Sequence, residues 1–328
     1  MINACSTALA ITALLLSALA APQAAVAQPA YPARAIRIVI PFAAGSGSDI
    51  VARVIGEALA EQMGATVTPE TREGAGGVIG ATAVAKAPAD GYTLLSAATP
   101  MTVAPYMARS LPYDPARDFT ALARISVIPM VLVTGANGPF RTFQDLVMHA
   151  RDNPGKVNYA TGGKGSPSHL EVELIGRALG LRLQDIPYRT FGQGLTDTIA
   201  LQASFSMASL PLAQGHIKAG TLRALAVGAP ARIASAPDVP TFAEAMGKPG
   251  WEAMVWYGLA GPAGLPPEVV ARLTAEIQKA MASAPVRERL ARVGGLLAPM
   301  YGAEFSSLIG SESAKWSRIV REIGLTTE

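Results

Sequence analysis

Cysteine, charge and histidine are scarce in this sequence, and each shortage argues against a class of function. The one cysteine, Cys5, lies ahead of the predicted leader cleavage, so the remaining chain has no disulfide, thiol nucleophile or cysteine metal ligand. Only 16% of the 328 residues are charged and the formal net charge is +3. This mildly basic balance fits an anionic ligand and gives no sign of nucleic-acid binding. The three histidines lack the spacing and carboxylate pairing of a metal site, so we expect neither a metal nor a cofactor.

The amino terminus has the pattern of an export leader. Residues 8–21 form an apolar run that is long enough for a signal peptide and too short to span a bilayer comfortably. Pro22 ends the run, and Ala25-Val26-Ala27 supplies the small-x-small pattern that signal peptidase recognises. We therefore predict cleavage after Ala27 and a periplasmic mature protein. The alternative is an uncleaved anchor or a buried N-terminal helix, because residues 1–7 contain no Lys or Arg.

One local unit recurs along the rest of the chain: a short β-branched strand, a glycine-rich loop and an amphipathic helix. The strand, loop and helix of each copy are predicted at 37–42, 43–48 and 49–63; at 156–160, 161–166 and 167–179; and at 185–188, 189–194 and from 195 onward. A further loop at 73–77 opens a helix through 87, followed by a strand at 92–96. Ser48 or Asp49 is the expected cap of the first helix, and Gly64 and Gly180 are the expected helix stops. The alternation predicts parallel α/β sheets with helices on both faces.

Helices alone are expected at the carboxyl end. Pro266-Pro267 should start a helix that runs through Ala282, a second should follow Pro285, and a third should cover about 303–323. We expect this helical end to pack around one of the lobes.

Enzyme signatures are missing. No serine lies in a G-x-S-x-G frame, and no glycine-rich approach to a Gly-Lys pair is followed by Ser or Thr as in a phosphate-binding loop. Two loops begin like a dinucleotide fingerprint, but Ile50 and Ile79 occupy the place of the third glycine. The sequence therefore favours binding over catalysis.

The glycine-rich loops can bind anions because each leads into a helix start. The first backbone N–H groups of a helix lack internal partners and carry the positive end of the helix dipole, so they attract carboxylates. Small residues allow close approach of a ligand, and hydroxyls add donors. For a single loop, the ordinary turn chemistry of a parallel α/β protein is the simpler explanation.

Several long motifs resemble one family of transport proteins. They are YPARAIRIVIPFAAGSGSDIVAR, REGAGGVIGATAVAKAPADGYTLL, LPYDPARDF, NPGKVNYATGGKGSPSHL, HIKAGTLRALAV, APDVPTFAEAM and WYGLAGPAGLPPEVVARL, in that order along the chain. They resemble the substrate-binding proteins of tripartite tricarboxylate transporters, also called the Bug family. The resemblance implies a type-II-like Venus-flytrap fold of two α/β lobes with C-terminal helices. The implied boundaries are 31–124 with 253–328 for lobe one and 125–252 for lobe two.

The resemblance also implies a ligand site and a role. The ligand carboxylate would be held at the loop after the first strand, at a facing loop of the second lobe, and at side loops. The implied residues are Ala43, Ala44, Gly45, Ser46, Gly47, Ser48, Asp49, Thr99, Thr161, Gly162, Gly163, Gly165, Ser166, His169, Tyr188 and Phe191. The protein would capture an organic carboxylate as a monomer and deliver it to two integral membrane subunits of a transporter. The alternatives are a periplasmic sensory adaptor that presents the ligand to a receptor kinase, and a hydrolase built on the same fold.

Departures from the family pattern bear on the ligand. Glu73 replaces a usual proline, and Ser204 and Ala208 stand where relatives often have acids, so the counter-charges for an ammonium group are missing. Phe191 replaces a small polar residue, and with Tyr188 it offers ring faces to a flat ligand. Trp256 is more simply explained as core packing. We therefore expect a dicarboxylate or an aromatic carboxylate rather than an amino acid, unless Glu73 or Asp49 reaches the cleft and pairs with an ammonium group.

Overall fold

The framework of the protein is a ten-stranded mixed sheet. The computed structural model describes residues 31–324 except 43, 108–111, 189, 234–235 and 293, so the predicted leader, its cleavage site and Ala43 lie outside the described residues. The strands are β1 Ile36–Ile40, β2 Val67–Thr71, β3 Thr93–Ala98, β4 Phe119–Gly135, β5 Val157–Thr161, β6 Leu183–Pro187, β7 Phe205–Ser209, β8 Leu222–Val227, β9 Met254–Pro262 and β10 Leu296–Tyr301.

Helices connect and cover these strands. They are α1 Gly47–Met63, α2 Val78–Ala85, α3 Ala104–Met107, α4 Phe143–Asp152, α5 Pro167–Leu179, α6 Phe191–Ile199, α7 Leu210–Lys218, α8 Phe242–Met246, α9 Pro267–Ala282, α10 Ala284–Arg292 and α11 Gly302–Ile323. Two 3₁₀ turns, Ala75–Gly77 and Thr99–Thr102, precede α2 and α3. Within the described ranges, no helix combines the length and the apolar character that crossing a membrane requires.

The long strand β4 joins the two lobes. Its first part pairs with β9 and β10, and its last part, from Met130, pairs with β7 and β8. We call the part built on β1, β2, β3, β9 and β10 the first lobe, and the part built on β5 to β8 the second lobe. The residue boundaries predicted from the sequence stay a prediction.

The directions of the strands place the carboxyl ends of the parallel strands of both lobes at the junction between the lobes. In the first lobe β1, β2 and β3 are parallel, and β3 runs in the direction of β4 because both are antiparallel to β9. In the second lobe β5, β6 and β7 are parallel, and β7 is antiparallel to β4. The carboxyl ends of the parallel strands in the two lobes therefore face each other where β4 passes between the lobes.

The parallel strands expected from the strand–helix alternation are present in both lobes, but antiparallel pairs accompany them. The sheet is mixed because β4, β9 and β10 add antiparallel pairs to the parallel strands of both lobes. These long-range pairings leave no signal in the local alternation pattern.

The predicted helix ends agree with the structure better than the starts. Gly64 and Gly180 adopt the left-handed conformation just after α1 and α5, as expected of helix stops. However, α1 starts at Gly47, and its cap is Ser46 rather than Ser48 or Asp49. Helix α6 starts at Phe191 rather than at Leu195, so most of the predicted loop 189–194 is the first helical turn. Helix α2 ends at Ala85, two residues before the predicted end.

Apolar packing fixes each lobe and their contact. In the first lobe the rings of Trp256 and Phe305 meet edge to face, with centroids 5.3 Å apart. In the second lobe Val131 and Leu195 belong to one buried cluster. A third cluster crosses between the lobes, where Leu170 of α5 lies with Trp316 of α11 and with Val103 and Met107 beside α3.

Candidate functional site

The start of α1 is locked by its own side chains. Ser46 caps the helix, since its Oγ accepts a hydrogen bond from the amide of Asp49 at 3.3 Å. Asp49 in turn accepts from the amide of Gly45 through Oδ2 at 2.9 Å, and Gly45 has φ +78°. The other oxygen of Asp49 accepts from Arg53 Nε at 2.7 Å. The buried Asp49 carboxylate is therefore fully engaged within the first lobe.

The start of α5 repeats this arrangement in the second lobe. Ser166 caps the helix by accepting from the amide of His169 at 3.4 Å. The amide of Gly165, with φ +80°, donates to Nδ1 of His169 at 3.4 Å. Pro167 occupies the first helical position, where its missing N–H costs nothing.

The two helix starts are thus copies of one motif. Residues 45–49 read Gly-Ser-Gly-Ser-Asp and residues 165–169 read Gly-Ser-Pro-Ser-His. In both, serine is the cap and the side chain at the third helical position accepts from the glycine amide four residues earlier. This correspondence was not predicted, although the G-S-x-S spacing is visible in the sequence.

Only some of the amides in these segments are free to meet a ligand. In the second loop the amides of Gly162, Gly163 and Gly165 already donate to Ser168 Oγ, Thr161 Oγ1 and His169. Within the described residues, the backbone amides of Gly47 and Ser48, the first two residues of α1, donate no hydrogen bond. The amide of Ser168, the second residue of α5, donates none either. Ser48 and Ser168 are buried, and buried amides require an acceptor. A ligand carboxylate would supply one.

Tyr257 of β9 lies against the start of α1 and was not among the predicted residues. A Cβ added to Gly47 would stand 2.6 Å from both Cζ and Oη of Tyr257 and 3.0 Å from Cδ1 of Ile128. Burial raises the pKa of the Tyr257 hydroxyl well above its ordinary value, so the group stays protonated and able to donate. Tyr257 lies in the W-Y-G stretch, directly after Trp256, which is the only signal of it in the sequence.

The second helix start rests on the first lobe. Gly165 is buried, and a Cβ added there would collide with Sδ of Met107 in α3. Leu170, one residue beyond the repeated motif, packs with Trp316 of α11. The loop of the second lobe is therefore held against first-lobe residues, at the place where the strand ends converge.

Thr99, Tyr188 and Phe191, which were predicted to line the sides of the site, each contact other residues of the protein. The Oγ1 of Thr99 accepts from the amide of Trp256 at 3.0 Å. Tyr188 donates to Asp197 Oδ2 at 2.8 Å, and burial together with this carboxylate raises the pKa of Tyr188 to about 12. Phe191 is half-buried against the second-lobe cluster. Trp256 is a core residue, as its simpler explanation required.

Ser204 and Ala208 do not lie where a counter-charge for an ammonium group would be needed. Ser204 donates to Asn158 at 2.8 Å through its amide and at 2.9 Å through its hydroxyl, which places it beside the beginning of β5, away from the carboxyl end at Thr161. Ala208 lies inside the second-lobe cluster. An acid at Ser204 would therefore not reach a ligand between the lobes, and the ligand class must be argued from other charges.

Charges near the two helix starts are few. Asp49 is paired with Arg53, and Glu73 and Lys164 are exposed, as is the uncharged Ala44. The described ranges contain no cluster of three or more His, Cys, Asp and Glu side chains suited to a metal ion. The site is therefore organised around backbone donors and neutral hydroxyls.

Two facing α/β lobes, each presenting a capped helix start at their junction, define a two-lobed periplasmic solute-binding protein. Residues 51–325 match the profile of the tripartite tricarboxylate transporter family receptor, and the chain belongs to that family. It is a substrate-binding protein and not an enzyme, and this family serves membrane transporters of carboxylates.

Named relatives cover nearly the whole chain. Protein BugT of Bordetella pertussis is 34% identical over 303 residues, which are 92% of this chain and 93% of BugT. A Rhodopseudomonas palustris protein solved with adipate is 30% identical with a TM-score of 0.82, covering 90% of this chain and 98% of its own. MatC from the same species, solved with bound malate, is 30% identical with a TM-score of 0.79, covering 88% of this chain and 100% of its own.

Proposed function

We propose that this protein captures an organic dicarboxylate between its lobes and delivers it to the two membrane subunits of a tripartite tricarboxylate-type transporter. In this proposal it is exported, cleaved after Ala27, and acts as a monomer without a cofactor. Lobe one comprises residues 31–124 with 253–328, and lobe two comprises 125–252. The observation that carries the proposal is the repeated helix start, one copy on each lobe, in which the amides of Gly47, Ser48 and Ser168 have no partner among the residues that the structure describes.

Two helix starts favour a ligand with two negative ends. Each start can stabilise one carboxylate through helix-dipole and amide interactions, at about 0.3–1 kcal/mol for the dipole alone and more when the site is desolvated. A ligand that bridges the starts contacts both lobes at once and so favours the closed arrangement. Adipate and malate, seen in two structural neighbours, are such molecules.

An α-amino acid fits the local charges poorly. Its ammonium group needs a buried carboxylate partner, because an unpaired buried charge costs several kcal/mol. Asp49 already accepts from Arg53 and from Gly45, and Asp197 accepts from Tyr188. Glu73 is exposed. Asp49 and Asp197 would each have to break an existing contact to pair with an ammonium group, and the exposed Glu73 offers no buried partner.

Calorimetric titration of the purified mature protein tests the proposal. Adipate, succinate and malate should bind with micromolar or better affinity, and glutamate and aspartate should bind at least about tenfold more weakly. Citrate measures tolerance of a third carboxylate, while benzoate and terephthalate test the aromatic alternative. Submicromolar binding of glutamate or aspartate, with the dicarboxylates silent, would refute the ligand class.

A cellular measurement tests delivery. Uptake of the bound dicarboxylate should fall when the gene for this receptor is deleted, and wild-type receptor should restore it. Uptake that is independent of the receptor, despite tight binding in vitro, would contradict the transport role.

A further inference from the structure

The repeated motif differs between the lobes in the chemistry of one acceptor. In the first lobe the glycine amide is held by a carboxylate, Asp49, which is paired with Arg53. In the second lobe the equivalent amide, that of Gly165, is held by Nδ1 of His169. An imidazole nitrogen accepts only when it carries no proton. The bond therefore requires a neutral His169 ring with its proton on Nε2.

The surroundings of His169 favour the neutral ring. The side chain is buried and lies nearly parallel to the ring of Tyr159, with centroids 6.5 Å apart. Burial holds the pKa of His169 below its ordinary value. Lys164 in the preceding loop acts in the same direction, whereas Glu173 on the same helix and Asp185 of β6 oppose it. Glu173 is itself occupied, since it accepts from the Tyr159 hydroxyl at 2.7 Å.

Gly165 has little freedom to adopt another position. It has a left-handed backbone and is packed against Met107 of the first lobe. The cap Ser166 and the unpartnered amide of Ser168 follow directly. Loss of the bond to His169 would thus alter the loop that leads into the helix start and its contact with the other lobe.

We propose that His169 is a positioning residue whose neutral Nδ1 holds the second helix start in its binding shape, so that acid weakens carboxylate binding through the second lobe only. The inference rests on the proposed function, because the binding consequence presumes that this helix start receives a carboxylate. The first lobe serves as the comparison, because the acceptor for the glycine amide there is a carboxylate oxygen of Asp49, which is paired with Arg53.

Simple electrostatics predicts the opposite result, which makes the idea testable. An imidazolium beside the ligand would attract a carboxylate and tighten binding as the pH falls. Positioning by Nδ1 predicts weaker binding instead, because the cation can no longer accept from Gly165. The sign of the pH dependence separates the two accounts.

The test titrates adipate and malate into wild type and three variants between about pH 5 and pH 8, the range in which histidine changes charge. Wild-type affinity should fall about fivefold on acidification, the effect of losing one buried hydrogen bond.

The variant His169→Leu, which lacks an acceptor, should bind weakly at every pH. The variant His169→Asn, whose amide oxygen can accept from Gly165 without titrating, should bind more tightly than His169→Leu and show a weaker pH dependence than wild type, since only protonation of the ligand itself remains. As a control, His149→Asn should keep the wild-type pH profile. Tighter wild-type binding in acid, or equal behaviour of the Asn and Leu variants, would overturn the proposal.

A second measurement does not depend on the ligand. In ¹⁵N-histidine-labelled protein, the ring of His169 should show the Nε2–H tautomer at neutral pH, and amide exchange of Gly165 should accelerate in His169→Leu. If neither adipate nor malate binds, the dicarboxylate proposal fails while this measurement still decides the role of His169. An Nδ1–H tautomer, or unchanged exchange of Gly165, would refute it.

Discussion

A single methyl group at Gly47 should disable the first helix start. The added Cβ of Gly47→Ala would lie 2.6 Å from two atoms of the Tyr257 side chain and 3.0 Å from Ile128. The Tyr257 ring is only 7% exposed, so it cannot move aside without disturbing its neighbours. Either the Tyr257 ring or the start of α1 must shift, and either movement changes the surroundings of the Gly47 amide.

The size of the effect follows from the cost of overpacking. An extra methylene in a well-packed region costs about 1–3 kcal/mol. If the strain is relieved by moving α1 or Tyr257 out of the binding position, the same free energy is lost from binding, and affinity falls roughly five- to 150-fold. If it is not relieved, the free energy of unfolding decreases by that amount instead. The prediction is that the loss of binding free energy and the loss of free energy of unfolding add up to about 1–3 kcal/mol.

Urea denaturation and calorimetry with adipate measure the two parts separately. The matched control is Gly192→Ala at the second position of α6, where an added Cβ meets nothing within 4 Å and the backbone is helical. The control should leave affinity unchanged and raise stability by up to about 1 kcal/mol. Wild-type affinity together with wild-type stability in Gly47→Ala would refute the packing argument.

Two further predictions concern charge. Burial raises the pKa of Glu171 in α5 to about 7 from 4.5, with Lys315 of α11 opposing the shift. The stability that this group contributes is therefore fully present below about pH 4.5 and is lost as the pH rises through about 7. Urea midpoints should follow that trend in wild type and lose it in Glu171→Gln, and an unchanged slope would contradict the assignment. For Arg53→Gln, which leaves the Asp49 carboxylate unpaired, adipate affinity should fall most strongly at low ionic strength, as calorimetry in a salt series would show. Salt-independent affinity would contradict that expectation.

Local rules made much of the site predictable from the sequence. A glycine-rich segment after a β-branched strand identified both helix starts, and the stops at Gly64 and Gly180 follow from the left-handed conformation that glycine adopts easily. The start of α9 at Pro267 is similarly local. The predicted start of α6 was wrong by four residues, because a glycine-rich segment was interpreted as a loop although the helix already begins at Phe191, directly after Thr190.

Non-local packing explains what the sequence did not reveal. Strand β4 pairs with partners more than 100 residues away in the chain, such as β9, and no periodicity encodes that choice. Tyr257 reaches Gly47 only through the same pairing. Ser204 seemed close to the ligand from its motif alone, whereas the register beside β5 places it at the other end of the strand.

The two helix starts also solve one electrostatic conflict in two ways. A carboxylate near a helix start stabilises the helix and accepts from the preceding loop, but it repels a ligand carboxylate by about 3 kcal/mol at ~5 Å and an effective dielectric constant of ~20. In the first lobe Arg53, one turn along α1, neutralises Asp49 at 2.7 Å. In the second lobe the proposed neutral imidazole of His169 would accept from the glycine amide without adding a charge. Both solutions keep the acceptor and remove the repulsion, so the shared requirement of the two lobes is an uncharged helix start. A protein built to hold an ammonium group between these starts would gain from an unpaired Asp49 carboxylate, so the pairing of Asp49 with Arg53 favours an anionic ligand.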